Sequence, residues 1–184
     1  MEPLKTDLSA FNNEWYRPGS IVKRALWYFF SVSFFKSSFP FYSTKLFILR
    51  LFGAKVGKNV VIKPHVTIKY PWKLEIGDHV WIGEYAWIDN LAKVTLKSNS
   101  CISQGAMLLC GNHNYKRVKF DLILSEITLE EGAWAGAKTV VCPGVKMGSH
   151  SLLTVGSIAT HNLEPYWIYQ GNPAQKVKER VIKS

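Results

Sequence analysis

The chain has 184 residues, 47% hydrophobic and 20% charged, and a formal net charge of +10. That mix excludes a disordered or low-complexity chain and is enough for one domain with a sizeable core. Its three cysteines, Cys101, Cys110 and Cys142, show no CxxC or other metal-ligand spacing. They indicate neither a disulfide framework nor a zinc site, and a cytoplasmic setting is expected.

The opening Met1-Glu2-Pro3-Leu4-Lys5 is polar, and a secretory signal is not expected. Ser20 is the expected cap of a helix running from Ile21 to Phe35 and broken by Pro40. A second helix is expected over Ser43 to Phe52, ending at Gly53. The apolar run from Leu26 to Phe35 is shorter than the roughly 20 residues a spanning helix needs. Between Trp15 and Leu74 the sequence has eleven Lys and Arg and no Asp or Glu. Such a field favours a polyanion: CoA, a nucleotide sugar, nucleic acid or an anionic membrane face. No nucleic-acid motif accompanies it, so nucleic acid is not an expected partner, whereas peripheral membrane contact through residues 1–40 is. Residues 1–55 read as a helical, aromatic cap.

From Val56 aliphatic residues recur every six positions: Val56, Ile62, Ile68; then Ile76, Ile82, Ile88, Val94; then Ile102 and Leu108. A last run is Leu129, Ala135, Val141, Met147, Leu153, Ala159. Small residues often follow, as at Gly57, Gly77, Gly83, Gly136 and Gly148. Period six matches neither a helix at 3.6 nor a strand at 2. Three short strands joined by tight turns make one triangular coil, with one hexad on each side. The aliphatic residue fills the prism, and the next must be small where backbones approach. Stacked coils bury a core that no single coil could bury. The expected fold is a mainly β, left-handed parallel β-helix over residues 56–160. A turn at Gly171-Asn172-Pro173 and a short basic helix from Ala174 to Lys183 are expected within residues 161–184.

The hexad phase is lost over residues 111–126, and a solenoid's function usually sits in such an ejected loop. His65, His79 and His150 share a hexad position with Asn59 and Lys138, a solvated turn. His113 instead opens the loop, flanked by Asn112 and Asn114. Acyl transfer from a thioester to an alcohol needs a base for the hydroxyl proton, and a histidine supplies one. Backbone N–H groups at Ala135-Gly136-Ala137 are candidate donors to the thioester oxygen. Asp89, Glu84 or a backbone carbonyl is the expected orienting partner of the imidazole. Cys110 reads as a small packed side chain rather than a nucleophile.

The hexads, the loop histidine and Gly171-Asn172-Pro173-Ala174 resemble the hexapeptide-repeat acyltransferases. Asp7-Leu8-Ser9-Ala10-Phe11, the stretch from Arg50 to Ile62 and Tyr70-Pro71-Trp72-Lys73-Leu74 are similar to the colanic-acid-biosynthesis type. The resemblance implies a homotrimer with active sites between subunits, transferring acetyl from acetyl-CoA to a sugar that is free, nucleotide-linked or lipid-linked. It implies His113 as the catalytic base, with no metal. It also implies CoA contacts at Trp134, Ala135, Gly136, Ala137, Gly156 and Ser157. The family's Thr-Lys after the last hexad is here Thr160-His161, so Lys176, Lys178 and Arg180 are substitutes for the lysine. Relatives often carry Ser-His-Asp where this chain has Asn112-His113-Asn114. Asp89 and Asn90 are the implied acceptor contacts, with Asn112, Asn114 and Tyr115 from the loop. Two other readings share the architecture: a γ-class carbonic anhydrase, which needs three converging histidines, and a non-catalytic scaffold.

Overall fold

A computed structural model describes residues 3–183; Met1, Glu2 and Ser184 lie outside them. The centre of the molecule is a left-handed parallel β-solenoid of about six turns. Its first coil is β1 (Lys55–Val56), β2 (Val61–Ile62) and β3 (Thr67–Ile68). The second is β4 (Leu74–Ile76), β5 (Trp81–Ile82) and β6 (Trp87–Asp89). The third is β7 (Val94–Leu96), β8 (Cys101–Ile102) and β9 (Met107–Leu109). There the chain leaves as a hairpin of β10 (Gly111–His113) and β11 (Leu122–Leu124). The fourth coil follows as β12 (Ile127–Leu129), β13 (Trp134–Ala135) and β14 (Val140–Val141). The fifth is β15 (Lys146–Met147), β16 (Leu152–Leu153) and β17 (Ile158–Ala159), and β18 (Trp167–Gly171) and β19 (Ala174–Glu179) close the stack.

Three sheets form the sides of the prism. Sheet I is β1-β4-β7-β12-β15, sheet II runs from β2 through β5, β8, β13 and β16 to β18 and β19, and sheet III is β3-β6-β9-β14-β17. The second residue of each two-residue strand after β1 points inward: Ile62, Ile68, Ile82, Ile102, Ala135, Val141, Met147, Leu153 and Ala159 are all buried. One hexad is re-phased. Ile76 stacks on Leu96, and Val94 pairs with Leu74. The corner from sheet III to sheet I is longer than the other two, so the slip falls before Leu96, and both Val94 and Leu96 are buried.

The shared turn position of the histidines has a backbone cause. Asn59, His65, His79, Asn99, Lys138 and His150 all have φ between 54° and 61°. This left-handed region suits Asn and His better than β-branched residues. Small residues after the inward aliphatic have a steric cause. A Cβ on Gly77 would lie 2.6 Å from Ser98 N, and one on Gly136 2.6 Å from Leu153 O.

Helix α1 (Ile21–Phe30) is capped by the Ser20 hydroxyl, which accepts from Lys23 N. It continues to Phe35 as a π-helical turn, Ser31–Phe35, rather than as α-helix. Helix α2 (Tyr42–Leu51) follows. Together they cover the free edge of the first coil, one donor per side. Arg50 donates to Val56 O and Gly57 O, Lys45 Nζ to Ile62 O and Lys63 O, and Trp27 Nε1 to Ile68 O. An open coil would leave these carbonyls unpaired. Lys45 is fully buried, and that burial pulls its ammonium down to about 8.

The expected C-terminal helix is absent. Ala174–Glu179 is β19, antiparallel to β18 across a turn with Gly171 at φ +105°. Helix-favouring Ala, Gln, Lys and Glu yield here to the open edge of β18, which the returning strand pairs.

Candidate active site

His113 is the last residue of β10, opposite Leu122 in the hairpin register. That register brings the turn back over the ring, and His113 Nδ1 lies 2.9 Å from Phe120 O. A carbonyl only accepts, so Nδ1 donates to it, and in the neutral ring the lone pair is therefore on Nε2. The partner is neither Asp89 nor Glu84. Asp89 is paired with Lys69 at 2.9 Å, and a backbone carbonyl orients the imidazole. The Phe120 ring stacks on the imidazole at 4.4 Å and 7°, and Phe11 lies 5.6 Å away on a tilted plane. Phe120 has φ +52°, a costly conformation for a bulky residue, and such strain clusters at functional sites.

The N-terminal segment clasps this loop. Asp7 N donates to Val118 O at 2.9 Å, and the Asp7 carboxylate accepts from Ser9 N and Oγ to form the turn that presents Phe11. Tyr16 OH then donates to Leu91 O at the corner below the loop. Asn112 Oδ1 accepts from His113 N, and Asn114 Oδ1 from Lys116 N. Each side chain amide thus spends its oxygen on loop backbone, which leaves the NH2 groups for a ligand. Tyr115 is exposed. Cys110 is buried, and burial pushes its thiol up to about 11, so it stays protonated at neutral pH.

The remaining site residues are scattered. Asn90 is fully buried, with Oδ1 accepting from Tyr70 N and Nδ2 donating to Tyr70 O. It staples two coils and cannot contact an acceptor. Asp89 lines a groove of about 390 Å³ with Arg24, Tyr28, Lys69, Tyr70 and Trp87. Ala135 points into the core. Gly136 N–H is used by Leu153 O and Trp134 N–H by Ser151 O. Ala137 N–H has no acceptor among the described residues and is the free donor of that stretch. The Trp134 indole donates to Ser103 Oγ at 2.8 Å.

Ser157 is buried, and its hydroxyl accepts from Gly171 N. It fastens the terminal hairpin and is not free to meet CoA. At Gly156 the surface is open, with nothing within 4 Å of a Cβ. Thr160 Oγ1 and His161 Nδ1 share a hydrogen bond on an exposed corner. Lys176 is paired with Glu164 at 2.6 Å over the Trp167 ring. Arg180 donates to Gly132 O and His150 O. Of the three basic tail residues, Lys178 is the one without an intrachain ion pair or side-chain hydrogen bond among the described residues. His65, His79 and His150 sit at corners of different coils, and no three His, Cys, Asp or Glu side chains gather as a metal set among the described residues.

Within one chain the histidine and the Trp134–Ala137 stretch are on opposite parts of the triangle. The loop leaves from sheet III and returns to sheet I, whereas β13 belongs to sheet II. The outward faces differ just as sharply. Sheet I presents Lys55, Glu75, Thr95, Thr128 and Lys146 in register. Ion pairs Lys55–Glu75–Lys93 and Lys97–Glu130–Lys146 run along it. Sheet II presents Val61, Trp81, Cys101, Trp134 and Leu152, and sheet III presents Thr67, Trp87, Met107, Val140 and Ile158. These two apolar ladders escaped the sequence reading, although the residue before each inward aliphatic carried the signal.

No protein-family model matches the chain. It is 37% identical over 177 residues to WcaF of Escherichia coli (strain K12), named as a colanic acid biosynthesis acetyltransferase, covering 95% of this chain and 97% of that one. A hexapeptide-repeat acetyltransferase from Vibrio cholerae, solved with acetyl-CoA, superposes with a TM-score of 0.79 at 18% identity, covering 88% of each chain. A galactoside acetyltransferase solved with coenzyme A gives a TM-score of 0.77 at 24% identity, covering 87% of this chain and 82% of that one.

Proposed function

The chain belongs to the hexapeptide-repeat acetyltransferases of the colanic acid biosynthesis type, and from that premise we propose that it moves acetyl from acetyl-CoA to a sugar hydroxyl during surface-polysaccharide synthesis. The observation that carries the reading is the bond from His113 Nδ1–H to the Phe120 carbonyl. It leaves Nε2 as the ring's acceptor for an incoming hydroxyl. Nε2 takes the hydroxyl proton as the sugar oxygen bonds to the thioester carbonyl carbon. The resulting oxyanion accepts from backbone N–H, for which Ala137 has a free donor. The intermediate collapses with cleavage of the C–S bond, and the imidazolium returns its proton to the CoA thiolate.

A homotrimer accounts for the two apolar ladders. In a ring of three triangular prisms each subunit turns two sides to its neighbours and one to water. Sheets II and III have the apolar faces this requires, and sheet I has the charged one. The same arrangement supplies sheet II of a neighbour to the histidine corner, which one chain alone does not do. CoA thiol release is the direct test. Release that depends on a sugar acceptor and collapses in His113→Ala supports the proposal, and release that survives the substitution overturns the role of His113.

A further inference from the structure

Helix α1 is built inside out. Its exposed positions are Ile21, Val22, Ala25, Leu26, Tyr28 and Phe29, and Val32 continues the row into the π-helical turn. The five larger helix residues among them are between 52% and 75% exposed. The charged residues of the helix, Lys23 and Arg24, are half-buried instead. Lys23 Nζ lies 4.5 Å from the centre of the Trp72 ring, and Arg24 lines the groove against sheet III. The opposite face holds Trp27, whose indole closes the free edge at Ile68. An ordinary surface helix shows water its polar face. This one shows water its apolar face, pointing away from the end of the prism.

We propose that this face docks the protein on an anionic lipid bilayer, with α1 lying in the interfacial plane and the first coil toward the membrane. Three features fit that occupant. The face combines Phe, Leu, Ile and Tyr, the side chains interfacial helices bury among headgroups and upper acyl chains. Cations surround it: Arg17 precedes the helix, Lys36 lies 6.0 Å from the Tyr28 ring centre, and the eleven cations of the Trp15–Leu74 stretch have no acid among them. Among the described residues only Lys55 and Lys69 of these eleven pair with a carboxylate; Lys45, Arg50 and Lys73 are spent on backbone carbonyls, which leaves the other six, Arg17 and Lys36 beside α1 among them, with no carboxylate to compete with lipid phosphate. The same charge disfavours a second copy as occupant, because a two-fold contact would press this basic field against itself.

The test uses the full chain and vesicles of phosphatidylcholine alone or with 30% phosphatidylglycerol, read by flotation. The protein floats with the anionic vesicles and not with the neutral ones, and binding falls at high salt. Leu26→Glu with Phe29→Glu weakens binding at least tenfold, while circular dichroism and thermal melting are unchanged because both positions are exposed. Failure to float with anionic vesicles, or equal flotation of the double variant, overturns the proposal. So does a native oligomer larger than that of the double variant in lipid-free solution, which would assign the face to a second copy. Vesicle binding is read without acetyl-CoA, so failure here leaves the acyl-transfer reading untouched.

Discussion

Gly83→Ala isolates the steric rule on which the coil depends. Gly83 follows the inward Ile82 at the corner from sheet II to sheet III. A methyl group there would lie 2.6 Å from Gln104 N and 2.8 Å from Ser103 C. Ordinary carbon contacts are about 3.5–4.0 Å, so the backbones must separate by nearly 1 Å. Two ladder bonds bracket the site, Gly83 N to Ile102 O at 2.7 Å and Gly105 N to Glu84 O at 2.8 Å. Overpacking costs about 1–3 kcal/mol, and weakening two hydrogen bonds adds about 1 kcal/mol each. The expected loss is about 3–5 kcal/mol, a fall in Tm of roughly 10 °C for a chain of this size. Gly156→Ala is the control. Its φ is +69° but its Cβ would meet nothing within 4 Å, so it costs only the left-handed strain, about 1 kcal/mol. Differential scanning fluorimetry of both variants decides. A Gly83→Ala protein that melts within about 2 °C of the native chain would refute the close-approach reading.

Lys45→Met tests the buried ammonium under the cap. Because burial lowers its folded value to about 8 from 10.5, the unfolded chain binds more protons between those values, and stability rises with pH across that window. Denaturation at pH 7.5 and 10 shows this rise in the native chain, and the Met variant lacks that part of it; an identical pH response in both refutes the assignment. Trp81→Glu puts a charge on the apolar ladder of sheet II, and light scattering is expected to show three chains becoming one; an unchanged mass contradicts the ring. Phe120→Ala removes the ring stacked on His113 and is expected to lower kcat about 10- to 100-fold with little change in KM for acetyl-CoA. An unchanged kcat means the stacking does not position the base.

Much of the architecture is legible because the hexad encodes it twice, through the inward aliphatic and through the small or left-handed residue at the corner. His65, His79 and His150 could be set aside from sequence because their phase matched Asn59 and Lys138, and all five take positive φ. Ala174–Glu179 was misread because local composition says helix, while the deciding force is an unpaired strand edge that only the stacked coils create. The structural use of Asn90 and Ser157 was hidden for a related reason: their polar atoms serve backbone on another coil or in the terminal hairpin. The orienting partner of His113 was beyond residue identity, since a carbonyl at position 120 reaches the ring only through the hairpin register. The division of outward residues into one charged and two apolar sides was present at the position before each inward aliphatic.

The most direct test of the central claim is acceptor-dependent release of CoA thiol from acetyl-CoA, measured over a panel of sugars for the native chain and His113→Ala. The account predicts release with a sugar acceptor and a fall of about 10²–10⁴-fold in the variant, with acetyl-CoA binding retained. Equal release by the two proteins, with the same acceptor, would contradict it.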